Sequence, residues 1–594
     1  MADYASPRST DSNLTVVVAD EESIKVKHQQ EEEWKPSKHE LLIMISLSII
    51  SCMVALDACI IITSLSSIVI DLNGTSTQGF WIGTSYLLAN AVSMPVLASL
   101  SDIFGRPICL WLSLLCFTIG SIVCCAAPNI SALLVGRSIQ GIGGGGIVVL
   151  SMVVFTDIVP LRYRPKWYGI VQGAWALGNC IGPVIGGAIA ERTTWRWIFY
   201  LMFPFCAYGL VSVPFLLTLK PRKATLSESL ARVDWIGGFF FICSSTLFLI
   251  AVSWGGSQYA WDSVETLVPL ILGTVGLALT FWYEAKLAPK PFLKNSLFNS
   301  LSSIAAYGGS MVQGLLLFGQ LYYIPFYLAS VQAFSPLRTG YSVLPAMLLL
   351  IPSSIVTGGL VTRTKKYRIP IWIGWAVQFA ACATTAFTFD ASTPTGVWVI
   401  ALILIGLGHG CILTAQNFAT QASCAPGEEG AAAAMYAFVR QFGMALGVGI
   451  GGSAFQNVMA LKLTWNGLPT IIATESEAFV AILLQMPDGS DLKNKIIDSY
   501  VFGFKGTFYV FLGISGVAGL LSLAIRHHEM DRSINSEHKL HENRLTRIID
   551  NQTSGLAAPK MSAATTPFTS ETAIPRLTLD IPAHENDATR TTTM

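Results

Sequence analysis

Arg137 and Gln140 sit three residues apart in LLVGRSIQGIGGGGIVVL (133–150), a run otherwise apolar enough for lipid and dense in glycine. Wound as a helix, Arg137, Gln140, Gly141, Gly144, Gly145 and Val148 share one face. That face joins a fixed positive charge and an amide to a smooth strip where another helix can approach closely. A guanidinium within a membrane span costs at least ~2.5–3.5 kcal/mol on insertion scales, so it is expected to face a polar cavity and to have a partner. The alternative is that it snorkels to the surface. Asp57 is the one ionisable group in LLIMISLSIISCMVALDACIIITSLSSIVI (41–70). Desolvation there disfavours the charged form, so this carboxyl can take or release a proton as its surroundings change. A structural ion pair with Arg137 is the plainer reading. The two are compatible, since a pair that forms in only one conformation is a coupling device.

Asp102, Gly105 and Arg106 lie together in VLASLSDIFGRPICLW (96–111), at a turn between two apolar blocks. A carboxylate there can cap a helix end and an arginine can bridge to the next element, with Asp157 (FTDIVP) as its candidate partner. In GNCIGPVIGG (178–187), Gly178, Gly182 and Gly186 form one smooth edge, Gly187 sits beside it, and Pro183 bends the helix by removing a backbone donor. Such a bend, with glycine on the contact face, suits two bundles rocking across each other. Gln140, His409, Gln416, Asn417 and Arg440 are candidates for the wall of a substrate cavity, or else polar glue between helices. Trp81, Tyr86, Trp175, Tyr322 and Tyr323 could stack on a flat organic molecule, although packing or interfacial anchoring is the commoner fate of such rings. GIGGGG (141–146) satisfies the dinucleotide fingerprint, but it lies inside an apolar span with no soluble strand–turn–helix around it, so nucleotide binding is rejected.

These residues need apolar helices to hold them. Only 12% of the 594 residues are charged, about half the soluble norm, and mean hydropathy is +0.56. Fourteen apolar blocks are long enough to cross a bilayer: 42–64, 79–99, 108–127, 131–155, 167–190, 197–217, 235–254, 266–283, 306–329, 341–361, 370–388, 397–420, 431–455 and 507–526. They are expected to be helices, because backbone polar groups in lipid must be satisfied internally and the blocks are too long for barrel strands. The fold class is therefore all-α and polytopic. With the N-terminus in the cytoplasm, the inner loops hold fifteen Lys and Arg and the outer loops seven, so both termini are assigned to the cytoplasm. The twelve cysteines lie in or beside apolar blocks without metal-ligand spacing and read as small packers, with no metal or cofactor implied. The polar tails, 1–40 and 527–594, are expected to be disordered. An outer loop at 457–505 holds an apolar patch, AFVAILLQM, too short to span and expected to lie along the interface or fold against the bundle.

Taken together and in order, these stretches resemble the major facilitator superfamily, in particular its fourteen-span drug:proton antiporters of fungi and bacteria, with fungal members the most similar. The likeness runs through LDACIIITSL, LSDIFGRP, LLVGRSIQGIGGGG, GPVIGG, TTWRWIFY and DWIGG, and later YYIPFYLASVQAFSPLRTGYSVLP and FVRQFGMALGVGI, covering 42–526. By that resemblance Arg137 corresponds to a membrane arginine of proton coupling, with Asp57 beside it. Asp102, Gly105 and Arg106, with Asp157, belong to a gating motif, and Gly178, Gly182, Pro183, Gly186 and Gly187 to an antiporter signature. Ala98 and Pro107 depart from the loop motif, where a glycine and a basic residue are usual.

The resemblance implies a six-helix bundle at 41–217, a cytoplasmic linker at 218–234, two inserted helices at 235–283 and a second six-helix bundle at 284–526. It also implies a proton-coupled exporter of small hydrophobic organic molecules such as a secondary metabolite, toxin or drug. A proton-coupled importer, for example of an iron chelate, is the alternative. A receptor that borrows the transporter fold is disfavoured by tails with no recognisable signalling domain. Not an enzyme and without nucleic-acid partner, the protein is expected to act as a monomer in the plasma membrane or the vacuolar membrane.

Asn73 (NGT) and Asn129 (NIS) are sequons in loops assigned to the outside, whereas Asn13 (NLT) and Asn551 (NQT) fall in the cytoplasmic tails. Glycosidase treatment is expected to shift the protein's gel mobility, and Asn73→Gln with Asn129→Gln to abolish the shift. Modification at Asn13 or Asn551 would overturn the topology.

Overall fold

The computed structural model describes residues 34–217, 226–256, 258–289 and 291–530. Most of both tails, with their expected disorder and with Asn13 and Asn551, lies outside the described residues. Fourteen helices among those described are long and apolar enough to cross a membrane. They run on α1 (Lys38–Ile60), α2 (Ser76–Phe104), α3 (Arg106–Ala126), α4 (Ile130–Ile158), α5 (Arg164–Arg192), α6 (Met202–Leu216, its span beginning at Trp197), α7 (Trp235–Trp254) and α8 (Val264–Lys286), then α9 (Leu301–Ser330), α10 (Leu344–Thr364, its span beginning at Leu337), α11 (Arg368–Thr388), α12 (Thr395–Ser423), α13 (Glu429–Trp465) and α14 (Asp491–Ser522). Fourteen crossings put the start of α1 and the end of α14 on one side, here the tail face; the other side is the hairpin face.

The helices begin where side chains can take up free backbone N–H groups. Ser37 and Glu40 form a reciprocal capping box ahead of α1, Thr75 and Gln78 another ahead of α2, and Asn129 caps α4 by accepting from Ala132 N at 2.8 Å. The first cap lies within the stretch expected to be a free tail, so order begins earlier than the apolar block. Trp34 packs there on Tyr163 and Trp167, with ring centroids 6.0 and 6.5 Å away. At the other end His528 N donates to Tyr367 Oη at 2.8 Å.

Helices α1–α6 form one bundle and α9–α14 a second. Within the first, α4 is central and touches α2 along one side and α3 along another. Glycine makes both contacts. A Cβ at Gly141 or Gly145 would strike the carbonyls of Tyr86 or Asn90 on α2, and one at Gly143 would strike the backbone of Phe117 on α3. The expected smooth strip is therefore two strips, because consecutive glycines leave no side chain on either flank. α7 and α8 pack on each other, and α7 lies against both α2 and α13, along the seam between the bundles. Phe248 of α7 stacks on Phe442 of α13, with centroids 5.8 Å apart.

The largest difference from the sequence reading concerns the stretch between the last two helices. Instead of a long loop at 457–505, α13 runs on to Trp465 and α14 begins at Asp491, bracketing a short helix at Ser476–Gln485. Apolar windows detect only the part of a helix in hydrocarbon; beyond it these two ends support each other. Lys462 pairs with Asp498 at 2.9 Å, Asn466 Nδ2 donates to Ser499 Oγ at 3.2 Å, and Tyr500 Oη donates to Ser476 O at 2.6 Å. The apolar patch folds against the bundle, with Leu483 buried.

Gly143→Ala and Gly145→Ala are each expected to lower stability by about 1–3 kcal/mol, since the added methyl meets backbone that cannot swing aside. Gly359→Ala, whose Cβ would enter open space, should melt like the native protein or slightly higher. Thermal melts of detergent-purified protein separate the two cases.

Candidate functional site

α1 carries Asp57 and α4 carries Arg137 into the interior of the first bundle, where both are fully buried. Arg137 Nη1 lies 2.7 Å from Asp57 Oδ2 and donates to Gln140 Oε1 at 2.6 Å. The amide of Gln140 turns back and donates to Asp57 Oδ1 at 2.9 Å and to Ser121 Oγ of α3 at 2.9 Å. Arg137 Nε donates to Ile82 O of α2 at 3.2 Å, and the guanidinium lies 4.2 Å from the Tyr86 ring centroid. Four helices thus contribute to one closed polar knot. Snorkelling of Arg137 is ruled out. Gln140 completes the ion pair from inside the bundle and does not line a cavity between bundles.

On the tail face, Gly105 adopts φ 98°, the left-handed conformation that lets α2 turn directly into α3. Arg106 then lies 2.5 Å from Asp102 Oδ1 and 3.2 Å from Asp157 Oδ2, and donates to Ser101 Oγ at 2.6 Å. The start of α13 passes close by, since a Cβ at Gly430 would stand 3.8 Å from Arg106 Nη2. The pairing of Arg106 with Asp157 ties α3 to the end of α4.

The glycine edge of α5 requires a correction. Gly178, Gly182 and Gly186 face α1 of their own bundle, against Ala55, Cys59 and Ile60, and do not face the opposite bundle. The reason is local: Thr63 Oγ1 donates to Pro183 O at 3.1 Å and Ser64 Oγ to Gly186 O at 2.8 Å, which holds α1 into that groove. Gly187 is buried beside them. Pro183 is the residue of this motif that meets the second bundle, through Gly340 in the short helix Pro336–Ser342.

In the second bundle His409 is fully buried, with Nδ1 3.3 Å from Gln313 Nε2 and Nε2 3.1 Å from Gln320 Oε1. Gln416 Nε2 donates to Ala306 O at 2.9 Å. Both serve as polar contacts inside the bundle. Asn417 accepts from Gln421 Nε2 at 2.9 Å, and Gln421 accepts from Arg164 of α5 at 2.9 Å. Arg440 of α13 faces the first bundle, with its guanidinium carbon 4.6 Å from the Trp175 ring centroid. The five singled-out aromatics all have protein partners: Trp81 meets Trp254, Tyr86 and Trp175 lie beside arginines, and Tyr322 and Tyr323 donate to Glu477 and Val448 O.

Sequence reasoning missed Arg164, which counted only as a basic loop residue. It donates to Val159 O and Thr156 O at 2.8 Å each as well as to Gln421, so it joins the bundles on the tail face. Gly358 of α10 abuts Pro165 at the same level, and on the hairpin face Leu337 N donates to Glu191 Oε1 at 3.2 Å. The bundles touch at both faces, so this conformation is closed at each.

Residues 47–448 match the Major Facilitator Superfamily. The chain belongs to that family. Among its relatives, it is 37% identical over 530 residues to "MFS transporter L2" of a Phoma species, covering 88% of each chain. It is 32% identical over 522 residues to "Efflux pump FUS6" of Gibberella fujikuroi, covering 86% of this chain and 94% of that one. The same superfamily fold appears in the solved structure of the human organic anion transporter MFSD10, with TM-score 0.53, 13% identity and coverage of 82% and 100%. A bacterial homologue of the lysosomal transporter Spinster, in an inward-facing state, gives TM-score 0.51 at 17% identity, over 83% and 98% of the two chains.

The contact of Gly340 with Pro183 leaves no room for a side chain. Gly340→Leu is therefore expected to hold the hairpin face apart. Labelling of Thr339→Cys, a buried position beside it, by a membrane-impermeant maleimide should then run several-fold faster than without the leucine. Equal rates would show that this contact does not close the face.

Proposed function

We propose that this protein is a proton-coupled efflux transporter that moves small hydrophobic organic molecules by alternating access of its two bundles. The observation that carries the coupling is the closed knot of Asp57, Arg137 and Gln140 buried among four helices. Export, as against import, is supported by relatives named efflux pumps that align along most of the chain. The tail face is read as cytoplasmic from the distribution of Lys and Arg, and the protein as a monomer in the plasma membrane.

A proton on Asp57 cancels the carboxylate charge that holds Arg137, so the knot loses its strongest attraction while its geometry stays crowded. Asp57 lies on α1, less than two turns before Thr63 and Ser64, which grip Pro183 and Gly186 of α5. Pro183 in turn meets Gly340 of the second bundle. Loosening α1 at the knot is thereby passed to the contact that closes the hairpin face. On the opposite face the bond from Arg164 to Gln421 closes the tail face in the alternate half of the cycle, and Arg106 with Asp157 holds together the helix ends of the first bundle beside it. Substrate binds where the bundles part, between α5 and α13 at the level of Trp175 and Arg440.

Removing one partner of a buried ion pair costs about 3–5 kcal/mol, because the other charge is left uncompensated. Asp57→Asn and Arg137→Gln are each expected to lower the melting temperature, and the double variant to recover most of the loss. Vesicle transport with and without an imposed pH gradient reads coupling separately: all three variants are expected to lose the gradient's drive. A pH gradient that still drives uphill transport in Asp57→Asn would overturn the assignment. Movement of substrate into the cytoplasm would overturn export.

A further inference from the structure

The first bundle and its tail face bury three arginines, and each is satisfied by oxygen. Arg106 has Asp102 and Asp157, Arg137 has Asp57, and Arg164 has two backbone carbonyls and Gln421. Arg440 is the fourth buried arginine, 7% exposed, and among the described residues it has no carboxylate and no oxygen acceptor. Its one close partner is the face of Trp175, across the bundle interface. The titratable side chains near it offer no carboxylate: His409, whose two ring nitrogens already face Gln313 and Gln320, and the phenols Tyr168 and Tyr436. Tyr436 spends its hydroxyl proton on Leu413 O at 3.0 Å.

Position adds to this. Arg440 and Trp175 each lie eleven residues beyond the first residue of a helix that starts at the tail face, which is about 16 Å of rise and close to mid-membrane. A cation at that depth needs a counter-charge. Here the partner is a ring from the opposite bundle, so motion that parts the bundles takes that ring away and opens the guanidinium to the space between them.

The geometry points to Arg440 as the recognition group for the anionic head of the substrate, making the cargo an organic acid: a carboxylate on an apolar, ring-bearing body. This rests on the export reading and names its substrate class. The guanidinium fork matches a carboxylate bidentately. Trp175, Tyr168 and Phe418, the last two packed edge to face at 5.8 Å, supply flat apolar surface for the body. When the bundles close again without cargo, Trp175 takes the place of the acid over the guanidinium, so the empty carrier can return without a buried, uncovered charge.

The test uses the full chain in proteoliposomes and three probes that share one ring system: 1-naphthaleneacetate, its neutral amide, and cationic 1-naphthylmethylamine. Competition against radiolabelled 1-naphthaleneacetate should show the acid binding at least about tenfold more tightly than the other two, as expected for charge-assisted hydrogen bonds. Arg440→Gln should bring the acid down to the level of the amide in the same variant, so that the preference itself disappears, which a merely structural role would not do. Arg440→Lys should keep part of the preference. Wild-type protein that fails to bind the acid, or binds the amide or amine as well, overturns the proposal even if Arg440→Gln does not fold; so does an unchanged preference in Arg440→Gln. Uphill transport distinguishes the two readings. If the amide or amine is exported and the acid is not, the anion assignment falls and export stands. If the acid binds with the expected preference but is never moved uphill, export falls and the anion assignment stands.

Discussion

A charge carried into hydrocarbon must be met by an opposite charge or by enough dipoles, and the interior of this protein is arranged around that requirement. Asp57 and Arg137 meet it for each other, and Gln140 meets what remains by donating to one and accepting from the other. The knot can exist only because α4 lies close to α2 and α3, and that closeness comes from the glycines that follow Arg137. Charge and glycine density in this helix are therefore one design. The backbone approach brings Ile82 O and Ser121 Oγ within reach, and without it the guanidinium and the amide would lack two of their partners.

The two bundles handle the same problem with different chemistry. The core of the first uses a full ion pair. The core of the second uses a chain of amides bridged by an imidazole, Gln313 to His409 to Gln320 to Gln378, on helices α9, α12 and α11. Neutral amides can exchange partners at little cost, whereas an ion pair is held until a proton cancels it. On the proposed reading, the asymmetry leaves the first bundle with the pair that a proton would release, and the second with the cation at the interface.

Much of this was legible in the sequence. The fourteen crossings follow from apolar length, and Asp57 with Arg137 from the scarcity of charge in those crossings. Arg106 with Asp157 follows from their place at neighbouring helix ends. What the sequence hid were relations between faces. The glycine edge of α5 looks the same whether it meets α1 or the other bundle; Thr63 and Ser64 decide it, and their hydroxyls are unremarkable in a linear reading. Arg164 was invisible as a closing group because its acceptor, Gln421, is 257 positions away. The ends of α13 and α14 were misplaced because their outer turns are held by each other, not by lipid.

Those outer turns have a practical consequence. α13 and α14 contain 37 and 32 residues, about 55 and 48 Å of helix, against a hydrocarbon core of about 30 Å. The excess stands clear of the bilayer on the hairpin face as a braced pair, fastened by Lys462 with Asp498 and by Trp465 against Phe502, with centroids 5.6 Å apart. Transporters of this architecture offer electron microscopy little besides a featureless disc of detergent. A stiff, water-exposed epitope continuous with two helices of one bundle gives an antibody fragment a grip that turns with that bundle, so the orientation of the fragment in an image would report the tilt of the bundle itself.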